Sequence, residues 1–362
     1  MLARLTRVLP AHSTHLLKQS PQRLWSSTSG RTLLQQQPKY EAKSLLLTLR
    51  SKPPSLNTRD YSRDSRGRDR THLGQRTGPS MKERLMGPPG ENAYSMGKGA
   101  AGGAALMGLV ALCYYGLGLS KQPSLYDHSV LWPQYVKDRI HATYAYFGAS
   151  CAITAASALA VFQSDALLGL LMRSGWVSTL VTLGVVMATG AVAQAIDYEP
   201  GFGAKQLAWA LHCGVLGAVI APMCFLGGPI LTRALLYTGG IVGALSTVAA
   251  CAPSDKFLYM GGPLAIGLGV IFASSLASMW LPPTTAVGAG LASMSLYGGL
   301  ILFSGFLLYD TQRIVHNAEL HPEHSKVRYD PINNALAIYM DALNIFIRIA
   351  IILAGDQQGR KR

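Results

Sequence analysis

Two aspartates stand where a carboxylate is expensive to place. Asp310 closes an apolar run that opens at Leu300, and Thr311, Gln312 and Arg313 follow it; Asp341 lies inside the last apolar run, after Tyr339 and Met340 and before Asn344 and Arg348. A charged side chain at the centre of a membrane helix is disfavoured by about 2.5–3.5 kcal/mol on insertion scales, so an intramembrane aspartate is a functional candidate by default. Two of them on neighbouring apolar segments can face each other across a helix interface. Buried carboxyl groups placed side by side share a proton and titrate as a coupled pair. A hard cation such as Ca²⁺ takes about 6–8 oxygen ligands and can replace that proton, with Asn344, backbone carbonyls or water supplying what two carboxylates cannot. Asp310 and Asp341 are therefore the expected ion-binding and pH-sensing residues.

Each residue also has a plainer use. Asp310 can be an ordinary interfacial helix end. Offsets of three and seven residues put Asp341, Asn344 and Arg348 on one helical face, so Asp341 can simply be the counter-ion of a snorkelling Arg348. His212 is alone in the fourth apolar run; it is either a satisfied interhelical hydrogen-bonder or a group that titrates near neutral pH. Asn344, Arg348 and His212 thus stand as auxiliary candidates. A proteolytic aspartyl dyad would suit Tyr309-Asp310, but the second aspartate reads Tyr339-Met340-Asp341, without the GxGD partner such enzymes need. No P-loop, dinucleotide fingerprint or nucleophile–base motif stands on a suitable loop. Neither an enzyme nor a bound cofactor is expected; Ca²⁺ and H⁺ enter only as transported or gating ions. The five cysteines (Cys113, Cys151, Cys213, Cys224 and Cys251) match neither a metal-site spacing nor a disulfide framework and read as packing residues.

The elements that must hold these residues are membrane helices. Of 362 residues, 49% are hydrophobic and only 14% charged. The apolar ones gather in runs at about 97–119, 141–162, 175–196, 205–226, 233–252, 261–281, 287–309 and 332–354. Each is near the roughly 20 residues that span a hydrocarbon core, which predicts an all-α polytopic membrane protein with eight spans. Connections such as Leu226-Gly227-Gly228-Pro229 leave no room for a soluble catalytic domain. The pairs Gly99/Gly103 and Gly239/Gly243 have the spacing that lets helices approach closely in lipid.

The net charge of +14 is concentrated at the start: residues 1–98 hold 18 Lys and Arg against 6 Asp and Glu. The first 40 residues contain no acid. That Arg- and Ser-rich, acid-poor composition without an apolar core is the mark of a mitochondrial transit peptide, the alternative being a basic cytosolic tail. The charge thus speaks of addressing, and no nucleic-acid partner is expected. Processing is expected at Tyr61 and Ser62, three residues beyond Arg59. The domain reading is a transit peptide over 1–61, a loose basic segment over 62–96, an added membrane helix over 97–119, a helical core over 136–354 and a basic tail over 355–362.

The motifs Leu308-Tyr309-Asp310-Thr311-Gln312 and Ile338-Tyr339-Met340-Asp341-Ala342-Leu343-Asn344-Ile345-Phe346 resemble the last two helices of the transmembrane Bax inhibitor motif family. Val136-Lys137-Asp138-Arg139-Ile140 resembles that family's entry to its first core helix. The resemblance covers roughly 136–354 and implies a seven-helix core, its last helix surrounded by the other six, with one helix added in front. It also implies that Asp310 and Asp341 form a pH-sensitive pair governing Ca²⁺ passage. Some members latch one aspartate with a basic residue on the second core helix; here 175–196 offers only Gln194. The basic leader and added helix are similar to those of the family's mitochondrial member, which implies an inner-membrane location, Ca²⁺ exchange against protons, cristae maintenance and suppression of apoptosis. The expected function is accordingly a pH-sensitive Ca²⁺ channel or Ca²⁺/H⁺ exchanger. The alternative is a structural or regulatory membrane protein that organises cristae or holds inner-membrane protein partners, the aspartates merely pairing inside the fold.

Overall fold

Lipid offers no hydrogen-bond partners, so each spanning segment must satisfy its own backbone, and a helix does so within one segment. The computed structural model describes residues 80–360 apart from 91–92, 118, 121–123, 125–128, 130–131, 173–175, 254–255, 324 and 326–327. The leader, with Tyr61 and Ser62, lies outside the described residues. Among the described residues, eight helices are long and apolar enough to cross a membrane: α1 (Ser95–Gly116), α2 (Gln134–Phe162), α3 (Val177–Ala195), α4 (Ala204–Leu226), α5 (Gly228–Cys251), α6 (Leu258–Trp280), α7 (Ala286–Leu320) and α8 (Pro331–Gln357). No strand occurs among the described residues. The expected all-α polytopic fold with eight spans is therefore what the chain forms.

Its ends differ from the sequence reading in three places. Helix α2 starts at Gln134 rather than near 141, because Pro133 stands at its N-cap and Val136 and Ile140 of the next turns pack inward. Helix α7 runs on to Leu320, well past Asp310. The helix of α8 continues to Arg360, through most of the expected tail. A short helix, Met81–Met86, closed by a Ser80–Glu83 capping box, stands inside the segment expected to be loose.

Helix α8 is the centre of the bundle. Half of its spanning window is buried, against none for α1. One face of α8 supplies Ile332, Leu336 and Tyr339 to a core with Ala193, Trp209, Cys213 and Leu216 of α3 and α4. Another supplies Ile338, Ile345 and Ile349 to a core with Ala234, Leu307 and Ile314 of α5 and α7. Polar bonds pin the layers: Trp209 Nε1 donates to Ser150 Oγ at 2.8 Å. The Thr154 hydroxyl donates to the Cys213 carbonyl at 3.2 Å, which makes the Tyr339 hydroxyl, 2.6 Å away, the donor to Thr154. Helices α2 and α4 approach closely at Gly217, where any Cβ would strike the Thr154 carbonyl and lie 2.8 Å from Ser157 Cβ.

An even number of spans puts the start of α1 and the end of α8 on one side, and Lys98 Nζ does meet Asp356 Oδ1, at 3.4 Å. The α7–α8 connection then lies on the opposite side. Arg139 holds the end of α7 there, donating to the carbonyls of Ala318 at 2.9 Å and His321 at 2.7 Å. Tyr329 packs beside it, its hydroxyl 3.1 Å from Thr143 Oγ1; burial raises the pKa of this phenol, which keeps it protonated. The start of α8 is capped by Asp330, whose Oδ1 accepts from the amides of Ile332 and Asn333, both at 3.0 Å.

Candidate functional site

Asp310 sits ten residues before the end of α7 and Asp341 ten residues after the start of α8. At 1.5 Å per residue both lie about 15 Å from that end of the bundle. Both are buried, 6% and 5% exposed, and their carboxyl groups are within hydrogen-bonding reach of each other. Antiparallel packing of α7 on α8 produces this meeting, with Leu307 and Ile314 a turn to either side of Asp310 and Ile338 and Ile345 flanking Asp341. Asp310 is thus not an interfacial helix end. Asp341 Oδ2 is buried and has no hydrogen-bond partner. Arg313 Nη1 stands 3.7 Å from Asp310 Oδ1, but its side chain is half exposed, so its hold on the carboxylate is screened.

A cavity of about 580 Å³ leads to the pair from the side of the α7–α8 connection. Asp310 and Arg313 line it from α7, Gln194 and His212 from α3 and α4, and Asn334 and Met340 from α8. Asp341 lies behind this wall. The Thr189 hydroxyl donates to the Val185 carbonyl at 2.9 Å, so the 3.0 Å contact between Thr189 Oγ1 and His212 Nδ1 assigns the ring hydrogen to Nδ1. Nε2 then carries the lone pair. At the mouth, Lys205 of α4 is ion-paired with Asp330 and donates to the Ile196 carbonyl at 2.6 Å.

The other candidates lie elsewhere. Asn344 Nδ2 donates to the Met340 carbonyl at 2.9 Å, and its Oδ1 accepts from Arg348 Nη1 at 2.8 Å. That oxygen already accepts from Arg348, so as a ligand for a cation at the pair it would have only its second lone pair to offer. Arg348 does not pair with Asp341 either: it stands two turns further along α8 and its guanidinium is held by Asn344 and the Ser295 carbonyl, so the counter-ion reading of Asp341 is set aside. Among the described residues no group of three or more His, Cys, Asp or Glu could hold a metal ion. A cation at the two aspartates would need neutral oxygens for the rest of its shell, and the orphaned Asp341 Oδ2 is the atom best suited to meet it.

Two residues of the site were missed as such in the sequence. Lys205 resembles any lysine at a helix start, yet is 1% exposed. Gln312 is fully buried; it accepts from the Phe257 amide at 2.7 Å and donates to the carbonyls of Ala249 at 3.1 Å and Pro253 at 2.8 Å. It thereby fixes α7, two residues from Asp310, to the α5–α6 connection. The offset from Asp310 was the only signal for it.

Residues 136–358 match the family model described as inhibitor of apoptosis-promoting Bax1. The chain is 52% identical over 307 residues to the growth hormone-inducible transmembrane protein of Rattus norvegicus, covering 84% of this chain and 88% of that protein. It is 27% identical to Bax inhibitor 1 of Oryza sativa subsp. japonica, over 59% of this chain and 80% of that one. To Bax inhibitor 1 of Arabidopsis thaliana it is 28% identical, over 56% of this chain and 77% of the relative.

Proposed function

The chain belongs to the family of inhibitors of apoptosis-promoting Bax1, and on that premise we propose that it is a pH-sensitive Ca²⁺ pathway in the mitochondrial inner membrane, a channel or a Ca²⁺/H⁺ exchanger. One observation carries the reading: two carboxyl groups adjoin about 15 Å inside the end of the helical bundle, one of them on the wall of a cavity. When ionised, Asp310 and Asp341 attract a divalent cation; when they hold a proton, the cation is displaced. Ca²⁺ is the cargo here, and waters in the cavity complete its shell of about 6–8 oxygens. The charged and titratable groups facing the pair are Arg313 on α7 and, across the cavity, His212 on α4 and Asp330 before α8. His212, through its Nε2 lone pair, is the auxiliary group through which pH would further tune entry, while Arg313 adds a fixed positive charge beside Asp310.

The inner-membrane location rests on the acid-free leader. A role in cristae maintenance and in suppressing apoptosis belongs to the same reading, the latter supported by the family's description. The test is Ca²⁺ flux into proteoliposomes of the purified protein from about pH 6 to 8, the window a coupled carboxyl pair reaches, with internal pH recorded. Flux is expected to rise with pH as the pair ionises, to be lost in Asp310→Asn and Asp341→Asn, and, for an exchanger, to move protons the opposite way. Absence of flux from the folded protein would refute the transport reading. If folded aspartate variants then still restored cristae in deficient cells, a structural role would take its place.

A further inference from the structure

The polar face of α8 does not stop at the aspartate. Asn344 and Arg348 follow Asp341 on it, so the backbone of Arg348 lies about 10 Å further along the helix, on the side away from the cavity, and its guanidinium reaches back to Asn344. A cation held inside a membrane bundle is costly and pairs with an acid or with backbone carbonyls. The ion pairs among the described residues are Lys98–Asp356, Lys205–Asp330 and Arg313–Asp310; Arg348 is in none of them.

Neutral groups form its seat instead. Nη1 donates to the Asn344 carbonyl at 3.0 Å and to Asn344 Oδ1 at 2.8 Å, Nε donates to the Ser295 carbonyl at 3.4 Å, and Cζ stands 4.6 Å over the Phe303 ring. The Ser295 carbonyl belongs to a π-helical turn, Met294–Gly298, inserted in α7; such turns are rare and disturb the regular ladder of carbonyls. The next residue is Gly299, and a Cβ there would run into Nε, Nη2 and Cζ of Arg348. The bulged turn and the missing side chain together make room for a guanidinium that keeps its full charge.

We infer that Arg348 is the electrostatic barrier of the far half of the pathway, a specificity-determining residue that stops cations arriving at Asp310 and Asp341 from passing on to the other face. This rests on reading the aspartates as a cation site. Fixed arginines exclude cations in other narrow membrane pathways by the same means. The barrier scales with the charge of the ion, so its removal must favour Ca²⁺ over a monovalent ion, which a mere loosening of packing would not do.

The experiment compares wild type, Arg348→Met, Arg348→Lys and Arg348→Met with Asp341→Asn in proteoliposomes, measuring Ca²⁺ and K⁺ flux at one pH. A unit charge no more than about 10 Å along the helix from a divalent ion predicts a rise in Ca²⁺ flux of at least about tenfold in Arg348→Met, with K⁺ rising only by about the square root of that factor. Arg348→Lys should stay near wild type, and the double variant should be silent. Arg348→Gln, which keeps a donor for Asn344 and the Ser295 carbonyl, answers the same question should the methionine variant not fold. Wild-type flux that needs Asp341 but is unchanged by loss of Arg348 overturns the barrier and leaves the ion site standing. Equal increases in the methionine and lysine variants overturn it too, since the effect would then be packing. No flux from wild type or any folded Arg348 variant overturns both the barrier and the transport reading.

Discussion

Replacing either partner of the Lys205–Asp330 pair should have unequal consequences, and the burial of each side chain says which way. The Lys205 side chain is 1% exposed and that of Asp330 is 21% exposed. Asp330→Asn keeps the cap on Ile332 and Asn333 through its amide oxygen but strands a buried ammonium, which retains only the Ile196 carbonyl. Orphaning a buried charge costs about 3–5 kcal/mol, and we expect the lower end, about 3 kcal/mol, because that carbonyl remains. Lys205→Met preserves the packed stem and strands a carboxylate that is partly wetted and still holds two amide hydrogens. Its cost should be nearer 1–2 kcal/mol, roughly that of one charged hydrogen bond. In a double-mutant cycle the pair should then show a coupling of about 1–2 kcal/mol. SDS titration of the protein in mixed micelles, followed by circular dichroism, supplies the four free energies. Because the lysine is buried, raising the salt from low to high should change the coupling little. If Lys205→Met were as damaging as Asp330→Asn, or the coupling lay near zero, the pair would be an exposed contact and the argument from burial would fail.

Gln312→Ala should destabilise by about 2–3 kcal/mol, since one side chain satisfies three backbone groups and their desolvation is left unpaid; hydrogen exchange at the Phe257 amide should accelerate, and an unchanged rate would contradict the assignment. Gly217→Ala should cost about 1–3 kcal/mol through overpacking of α2 on α4, while Gly214→Ala, whose new Cβ would have its nearest neighbour, Ser157 Oγ, 4.0 Å away, should fall within about 0.5 kcal/mol of wild type. Equal thermal stability of the two glycine variants would show that the helices do not touch where described.

The eight spans were legible because lipid imposes one solution on a long apolar run, and the sequence has little else to hide it. The aspartates were legible as candidates because their residue type is rare in such runs. Their meeting was not, since it depends on the rotation of α7 against α8, which packing of Leu307, Ile338 and Ile345 decides. Polarity misled at Asp310: Thr311, Gln312 and Arg313 read as the end of a helix, whereas Thr311 bonds the Leu307 carbonyl at 2.7 Å and Gln312 is turned inward to the α5–α6 connection. At Asn344 the helical offsets found the right face, but a carboxamide can turn either way along it, and the neighbouring guanidinium claimed its oxygen.

The two halves of the bundle treat polar groups differently, and this bears on how the aspartates are reached. On the side of the α7–α8 connection, Asp310, Arg313 and His212 border open space. Beyond the pair, Leu307 and Ile345 are fully buried apolar side chains, and the polar groups that follow are satisfied by one another: Ser295 Oγ lies 2.6 Å from Ser275 Oγ, and Asn344 is bonded to Arg348. A closed polar network of this kind gains nothing from water, while the Asp310 carboxylate on the cavity wall does. On the proposed reading, ions and protons would enter from the cavity side, where Asp310 lines the wall. An exchanger must at some point expose the same pair to the other side, and here that requires α7 to move against α8 between Leu307 and the π-helical turn. Distance measurements between labels placed at the two ends of α7, made with and without Ca²⁺, should then show the end nearer the turn shifting while the end held by Arg139 and Gln312 stays fixed.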